Sequence, residues 1–108
     1  MPATLEAETV CKRVKSSVRA IEPRAEIILY GSRARGDAEP DSDWDFLVLL
    51  EGEVDPIRKT TLWHRLWDLE RDLEQVICPL VRSREEWESP LRQAMPLHRN
   101  IEREGIVL

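Results

Sequence analysis

Phe46-Leu47-Val48-Leu49-Leu50 is the stretch that most constrains this chain. Side chains alternate between the two faces of a strand, so five consecutive apolar residues make both faces hydrophobic. Such a strand belongs in the interior of a sheet that is covered on both sides. The residues just before it sharpen the problem. In "DWDFLVLLE" (43–51), Asp43, Asp45, Leu47 and Leu49 share one face, while Trp44, Phe46, Val48 and Leu50 share the other. Two carboxylates therefore stand in line with core positions, and something has to compensate them.

The remaining segments supply the cover. Ala7, Cys11, Val14, Val18 and Ile21 recur at spacings of four and three, which predicts a helix over 4–21, ended by Pro23. "EIILY" (26–30) is a short strand broken by Gly31-Ser32, and 32–38 has room for one or two helical turns before a loop through Asp41 and Ser42. Asp55-Pro56 is an N-cap followed by proline at the first helical position. The helix it opens runs to Leu73, with Leu62, Leu66, Leu69 and Leu73 as its stripe and Trp63 and Trp67 widening it. A third strand is expected over 75–81, where Pro79 indicates an edge position or a bulge. Ser83-Arg84-Glu85-Glu86 matches the capping box, Ser89-Pro90 restarts the helix, Pro96 interrupts it again, and the last piece ends before Gly105. The order α-β-(α)-β-α-β-α describes an α+β fold: a small mixed sheet of about three strands flanked by helices. The length of 108 residues suits one domain, 1–108, with one core.

Composition narrows the partners. The net charge of −5 argues against strong, non-specific nucleic-acid binding, which favours a basic face. No apolar run reaches membrane-spanning length, and the charged N-terminal segment lacks a signal-peptide core, so a cytoplasmic location is expected. Cys11 and Cys78 have no zinc-ligand spacing and are expected as buried free thiols. His64 and His98 sit in helical patterns without a ligand-spaced partner.

Two motif readings fail on their own mechanics. Gly31 to Gly36 spells G-x-x-x-x-G after a strand, but Asp37 and Ala38 stand where a P-loop needs Lys and then Ser or Thr. Asp41, Asp43 and Asp45 alternate like the start of a calcium loop, yet Phe46 and Gly52 occupy the positions that an EF-hand gives to Gly and Glu. Two weaker features survive. A strand ending in Gly31-Ser32 and opening into a helical turn can present backbone N–H groups and a hydroxyl to a phosphate, with Arg33 and Arg35 beside it; taken alone, the segment favours a plain capped turn with solvated arginines. Asp43 and Asp45, two apart on a strand, point the same way and repel unless a cation lies between them; solvation at a strand end is the alternative. Taken together they describe a two-part site for a nucleoside triphosphate and Mg²⁺.

The full pattern is Gly31-Ser32, ten intervening residues, then Asp43-x-Asp45. "GSRARGDAEPDSDWDFLVLL" resembles the minimal nucleotidyltransferases of the DNA polymerase β superfamily, whose signature is G-S-x(10)-D-x-D. The match covers roughly 27–50, and "PLVRSREEW" and "RNIEREGIVL" resemble that family more weakly. The resemblance implies a polymerase β-like nucleotidyltransferase fold and transfer of a nucleoside monophosphate, AMP from ATP or another NTP, to an acceptor hydroxyl. It gives Gly31 and Ser32 to the β- and γ-phosphates, Asp43 and Asp45 to two Mg²⁺ ions, and Arg33 and Arg35 to accessory charge on the triphosphate. It also implies a third carboxylate on a later strand. The expected strand 75–81 has none, which leaves Glu74 as the nearest acid and Val76 as the occupant of that position. A site without the third acid implies the alternative: a weak or inactive module that neutralises its partner by binding.

Minimal nucleotidyltransferases are commonly paired with a small helical HEPN protein as antitoxin and toxin. The resemblance therefore implies a HEPN-type partner that carries the acceptor, and Trp63 with Trp67 is either core or the contact surface for such a protein. Self-association into a homo-oligomer is also open.

Overall fold

In the computed structural model, which describes residues 5–108, the interior strand is β2, Trp44–Leu50, and every residue from Phe46 to Leu50 is buried. It is flanked by β1, Glu26–Tyr30, and β3, Ile77–Ser83, in a four-stranded sheet of order β3-β2-β1-β4, where β4 is Ile106–Val107. β1 runs antiparallel to both β2 and β4, and β3 runs parallel to β2, so the sheet is mixed. The helices are α1 (Leu5–Ile21), α2 (Ser32–Arg35), α3 (Pro56–Leu73), α4 (Arg84–Trp87), α5 (Pro90–Gln93) and α6 (Pro96–Glu104). Thr4, the expected start of the first helix, lies outside the described residues.

The alternation along β2 divides the core as its sequence requires. On one face Trp44, Phe46, Val48 and Leu50 pack with Ile27 and Leu29 of β1, Val14 and Val18 of α1, and Leu62, Leu66 and Leu69 of α3. On the other, Leu47 and Leu49 meet Trp87 and Ile101, with Ile28, Tyr30 and Leu80 partly buried against them. Asp45 continues this second face beyond its apolar part.

Local chemistry sets the element ends. The Asp55 side chain accepts the Arg58 N–H at 2.8 Å and Pro56 opens α3. Arg58 then donates to Glu22 at 2.7 and 3.0 Å and to the carbonyls of Glu51 and Glu53, tying α3 to the end of α1 and to the turn after β2. Ser83 and Ser89 cap α4 and α5 by accepting the N–H groups of Glu86 and Arg92. Among the described residues no buried side-chain nitrogen or oxygen lacks a hydrogen-bond partner.

The structure departs from expectation at three places and meets it at Pro79, expected at an edge position or a bulge. The third strand begins at Ile77 rather than 75, because α3 ends on Glu74 in the left-handed region and the Glu70 carboxylate, not a strand partner, takes the Ile77 N–H at 2.7 Å. Pro79 sits without a bulge on β3, which pairs with β2 alone and so is an edge strand. The tail adds β4, a two-residue strand too short to carry a periodicity. Trp63 and Trp67 are not core: Leu62, Leu66 and Leu69 fill α3's buried face, and Trp67 is 47% exposed.

Candidate active site

At one end of the sheet, three strands bring polar groups into a single cross-strand row. Asp45 pairs with Tyr30 on one side and with Cys78 on the other. Residues paired across neighbouring strands project to the same face, with strands about 4.8 Å apart. Tyr30, Asp45 and Cys78 therefore stand side by side where the apolar part of this face ends. Asp43, just before β2, reaches the same place: the Cys78 thiol donates to its Oδ2 at 3.5 Å.

The turn after β1 closes against this row. Gly31 has φ 76° and ψ −160°, a region open essentially to glycine. A Cβ there would collide with the Asp45 carboxylate. The backbone of Gly31 thus lies directly against Asp45, a closeness that no side chain permits. The Gly31 carbonyl accepts the N–H groups of Ala34 and Arg35 at 3.0 and 3.1 Å, starting α2, and Gly36 in the left-handed region ends it after Arg35. The first turn of a helix leaves its leading N–H groups without intrahelical partners. Ser32, in that turn, presents its hydroxyl within a residue of the glycine that touches Asp45.

The electrostatics of the pair follow from this crowding. Burial raises the Asp45 carboxyl above the ordinary aspartate range, the Asp43 carboxylate raises it further, and the Arg35 guanidinium works in the opposite direction. Burial, and then Asp43, pushes the Cys78 thiol up to about 11. A partly buried carboxylate beside a second one, facing a glycine backbone, is a donor set that suits a hard divalent cation. The missing side chain at Gly31 is what lets the Asp45 carboxylate lie against the turn. Among the described residues, no three or more His, Cys, Asp and Glu gather closely enough to hold a metal by themselves. Ligands from a bound molecule therefore have to complete the shell.

The two arginines beside the turn have separate tasks. Arg33 lies over the Trp44 ring at 4.2 Å and donates to the carbonyls of Ser42 (2.9 Å) and Pro40 (3.2 Å). It fastens the loop before β2 to the sheet. Arg33→Ala is expected to cost about 1–3 kcal/mol of stability in urea unfolding, from the lost stacking and charged hydrogen bonds. Arg35 instead reaches Asp37 and Glu104 at 3.2 Å each and acts electrostatically on Asp45, so its charge belongs to the site.

Glu74 is the C-cap of α3, with φ 54°, and is not among the groups acting on Asp45. Val76 precedes β3, is 53% exposed, and gives its carbonyl to the Trp44 N–H. The residue in register with Asp45 is Cys78, which is half-buried in the site rather than a core thiol like Cys11. Sequence reasoning placed that position two residues early because it started the strand two residues early. His64 packs edge-on to Trp67 and His98 is buried in a stack on Trp87, both outside the row.

Comparison with known proteins bears on this arrangement. A family model described as a nucleotidyltransferase domain matches residues 11–106. Curated protein sequences return no match. Among solved structures, one described as a proposed minimal nucleotidyltransferase is similar over 98% of this chain and 99% of that one, at 25% identity and a TM-score of 0.63. A toxin–antitoxin crystallised with AMP-PNP is similar over 89% of this chain and 69% of its own, at 21% identity and a TM-score of 0.63. A variant of the MntA–HpeT toxin–antitoxin is similar over 90% and 69%, at 22% identity and a TM-score of 0.61. The last two likenesses concern the fold. No helix among the described residues is long and apolar enough to cross a membrane.

Proposed function

The chain belongs to the nucleotidyltransferase-domain family, and from that premise we propose that it moves a nucleoside monophosphate, AMP from ATP, onto a hydroxyl of a small helical HEPN-type toxin, and so acts as a cytoplasmic antitoxin. Residues 1–108 act as one nucleotidyltransferase domain in this reading. The observation that carries it is the contact between the Gly31 backbone and the Asp45 carboxylate, which sets the turn that opens α2 against a carboxylate pair.

The roles follow from position. Gly31 lets the triphosphate approach the backbone, and the Ser32 hydroxyl donates to a phosphate oxygen. Asp43 and Asp45 would hold Mg²⁺, which would supply charge neutralisation to the phosphates. Arg35, already balanced between Asp37 and Glu104, can turn its charge to the triphosphate. The acceptor hydroxyl comes from the partner. The likeness to toxin–antitoxin structures supports a partner of that kind, and the exposed Trp67 and Ile57 on α3 give it an apolar surface to meet.

A second reading has one observation in its favour: a neutral thiol, Cys78, pairs in register with Asp45. In that reading the domain binds nucleotide and its partner without efficient transfer. Incubation with Mg²⁺, NTPs radiolabelled at the α-phosphate and the adjacent gene's product separates the two. Label on the partner is the expected result. An unlabelled partner, with ATP binding intact by calorimetry, selects the second reading; no ATP binding with or without Mg²⁺ removes both.

A further inference from the structure

We infer that Cys78 restricts this site to one hard divalent cation per bound nucleotide, where a carboxylate at position 78 would complete a second cation site. The inference rests on the nucleotidyltransferase reading above and adds a stoichiometry that follows from this chain's own donors.

Two cations that clamp opposite sides of a phosphoryl centre lie about 3.5–4 Å apart, and each needs its own oxygens in a shell of about six. The row across the sheet offers three positions: Tyr30, Asp45 and Cys78. Asp43 adds a fourth group from just outside the strand, within 3.5 Å of the Cys78 sulfur. Only Asp43 and Asp45 are anionic oxygen donors. Cys78 takes the neighbouring strand's position beside Asp45 with a sulfur, a soft donor where Mg²⁺ and Mn²⁺ favour oxygen. Tyr30 offers a neutral phenol.

Three further acids near this end of the fold have partners. Glu70 accepts the Ile77 N–H at 2.7 Å. Asp37 and Glu104 are paired with Arg35. Glu74 ends α3 through its backbone N–H, which donates to the Glu70 carbonyl, and its carboxylate is not among the groups acting on Asp45 or Cys78. Glu70 acts on Cys78, with one carboxylate oxygen held by the Ile77 N–H. One cation shared by Asp43, Asp45 and the phosphates is what the donors support.

The test counts cations. Mn²⁺ bound per chain is measured by equilibrium dialysis and by its EPR signal, with saturating α,β-methylene-ATP as a nucleotide that cannot react. One Mn²⁺ per bound nucleotide is expected for the wild type and for Cys78→Ser, and a twofold higher count for Cys78→Asp. Two in the wild type, or an unchanged count in a Cys78→Asp protein with wild-type circular dichroism, overturns the inference and leaves the proposed function standing. No Mn²⁺ beyond that carried by free nucleotide overturns both. If Cys78→Asp does not fold, the wild-type count alone still decides.

Discussion

Replacing Asp43 and Asp45 together by asparagine is expected to lower nucleotidyl transfer by at least about 10³-fold, the scale of losing the main charge stabilisation at a phosphoryl centre, while raising the melting temperature of the metal-free protein. The two effects share one cause. Asp45 is pushed by burial and by Asp43 towards its protonated form. An acid whose pKa is raised on folding stabilises the fold below its unfolded value, and that contribution is lost as pH rises through the folded value. At neutral pH the metal-free wild type therefore carries an unfavourable charge at the end of β2. Asparagine has the same shape without the charge, so the cost disappears along with the cation site.

Pairing these measurements makes the result diagnostic. A residue that served only the fold would lose stability and activity together. Here activity should fall while stability rises. Melting curves without divalent cations should also lie closer together for the two proteins as pH falls, because the raised Asp45 carboxyl then takes up its proton. With Mg²⁺ and ATP the order should reverse, since only the wild type gains stability from the ligand. Full transfer in a folded double variant would falsify the assignment of the pair.

What could be seen in the sequence and what could not divides along a physical line. The faces of β2 follow from alternation alone, and Asp45 stands on the face shared with Leu47 and Leu49 as its spacing requires. Asp55, Ser83 and Ser89 cap their helices because capping is a contact between residues three apart. Cys78 was out of reach because its place beside Asp45 depends on parallel register. A long helical crossover decides that register, and a two-residue shift in where β3 begins moves it. The task of Arg33 was hidden in the same way, since the ring it covers and the carbonyls it holds come together only when the loop folds back. Charge next to a phosphate-like turn suggested binding; tertiary contact gives it a structural task as well.

Gly31→Ala should produce the other large effect, and by a different route. Its φ of 76° with ψ −160° belongs to glycine, and forcing another residue there costs about 1–3 kcal/mol. The added Cβ would also collide with the Asp45 carboxylate. Either β1's end or Asp45 must move, and a displacement of about 1 Å at a reacting centre can cost about 10²-fold in rate. Unfolding in urea should therefore show a loss of that order, and transfer should drop by at least about 10²-fold even in the fully folded fraction. Gly36→Ala is the control within the same turn. Gly36 also has positive φ, at 84°, but a Cβ there meets nothing within 4 Å. Its penalty is the left-handed backbone alone, about 1–2 kcal/mol. Transfer per folded molecule should then stay near the wild-type rate. Equal activity losses at the two glycines would mean that the turn matters only as a fold element. A loss confined to Gly31 would identify its contact with Asp45 as what brings phosphate cradle and carboxylate pair into one site.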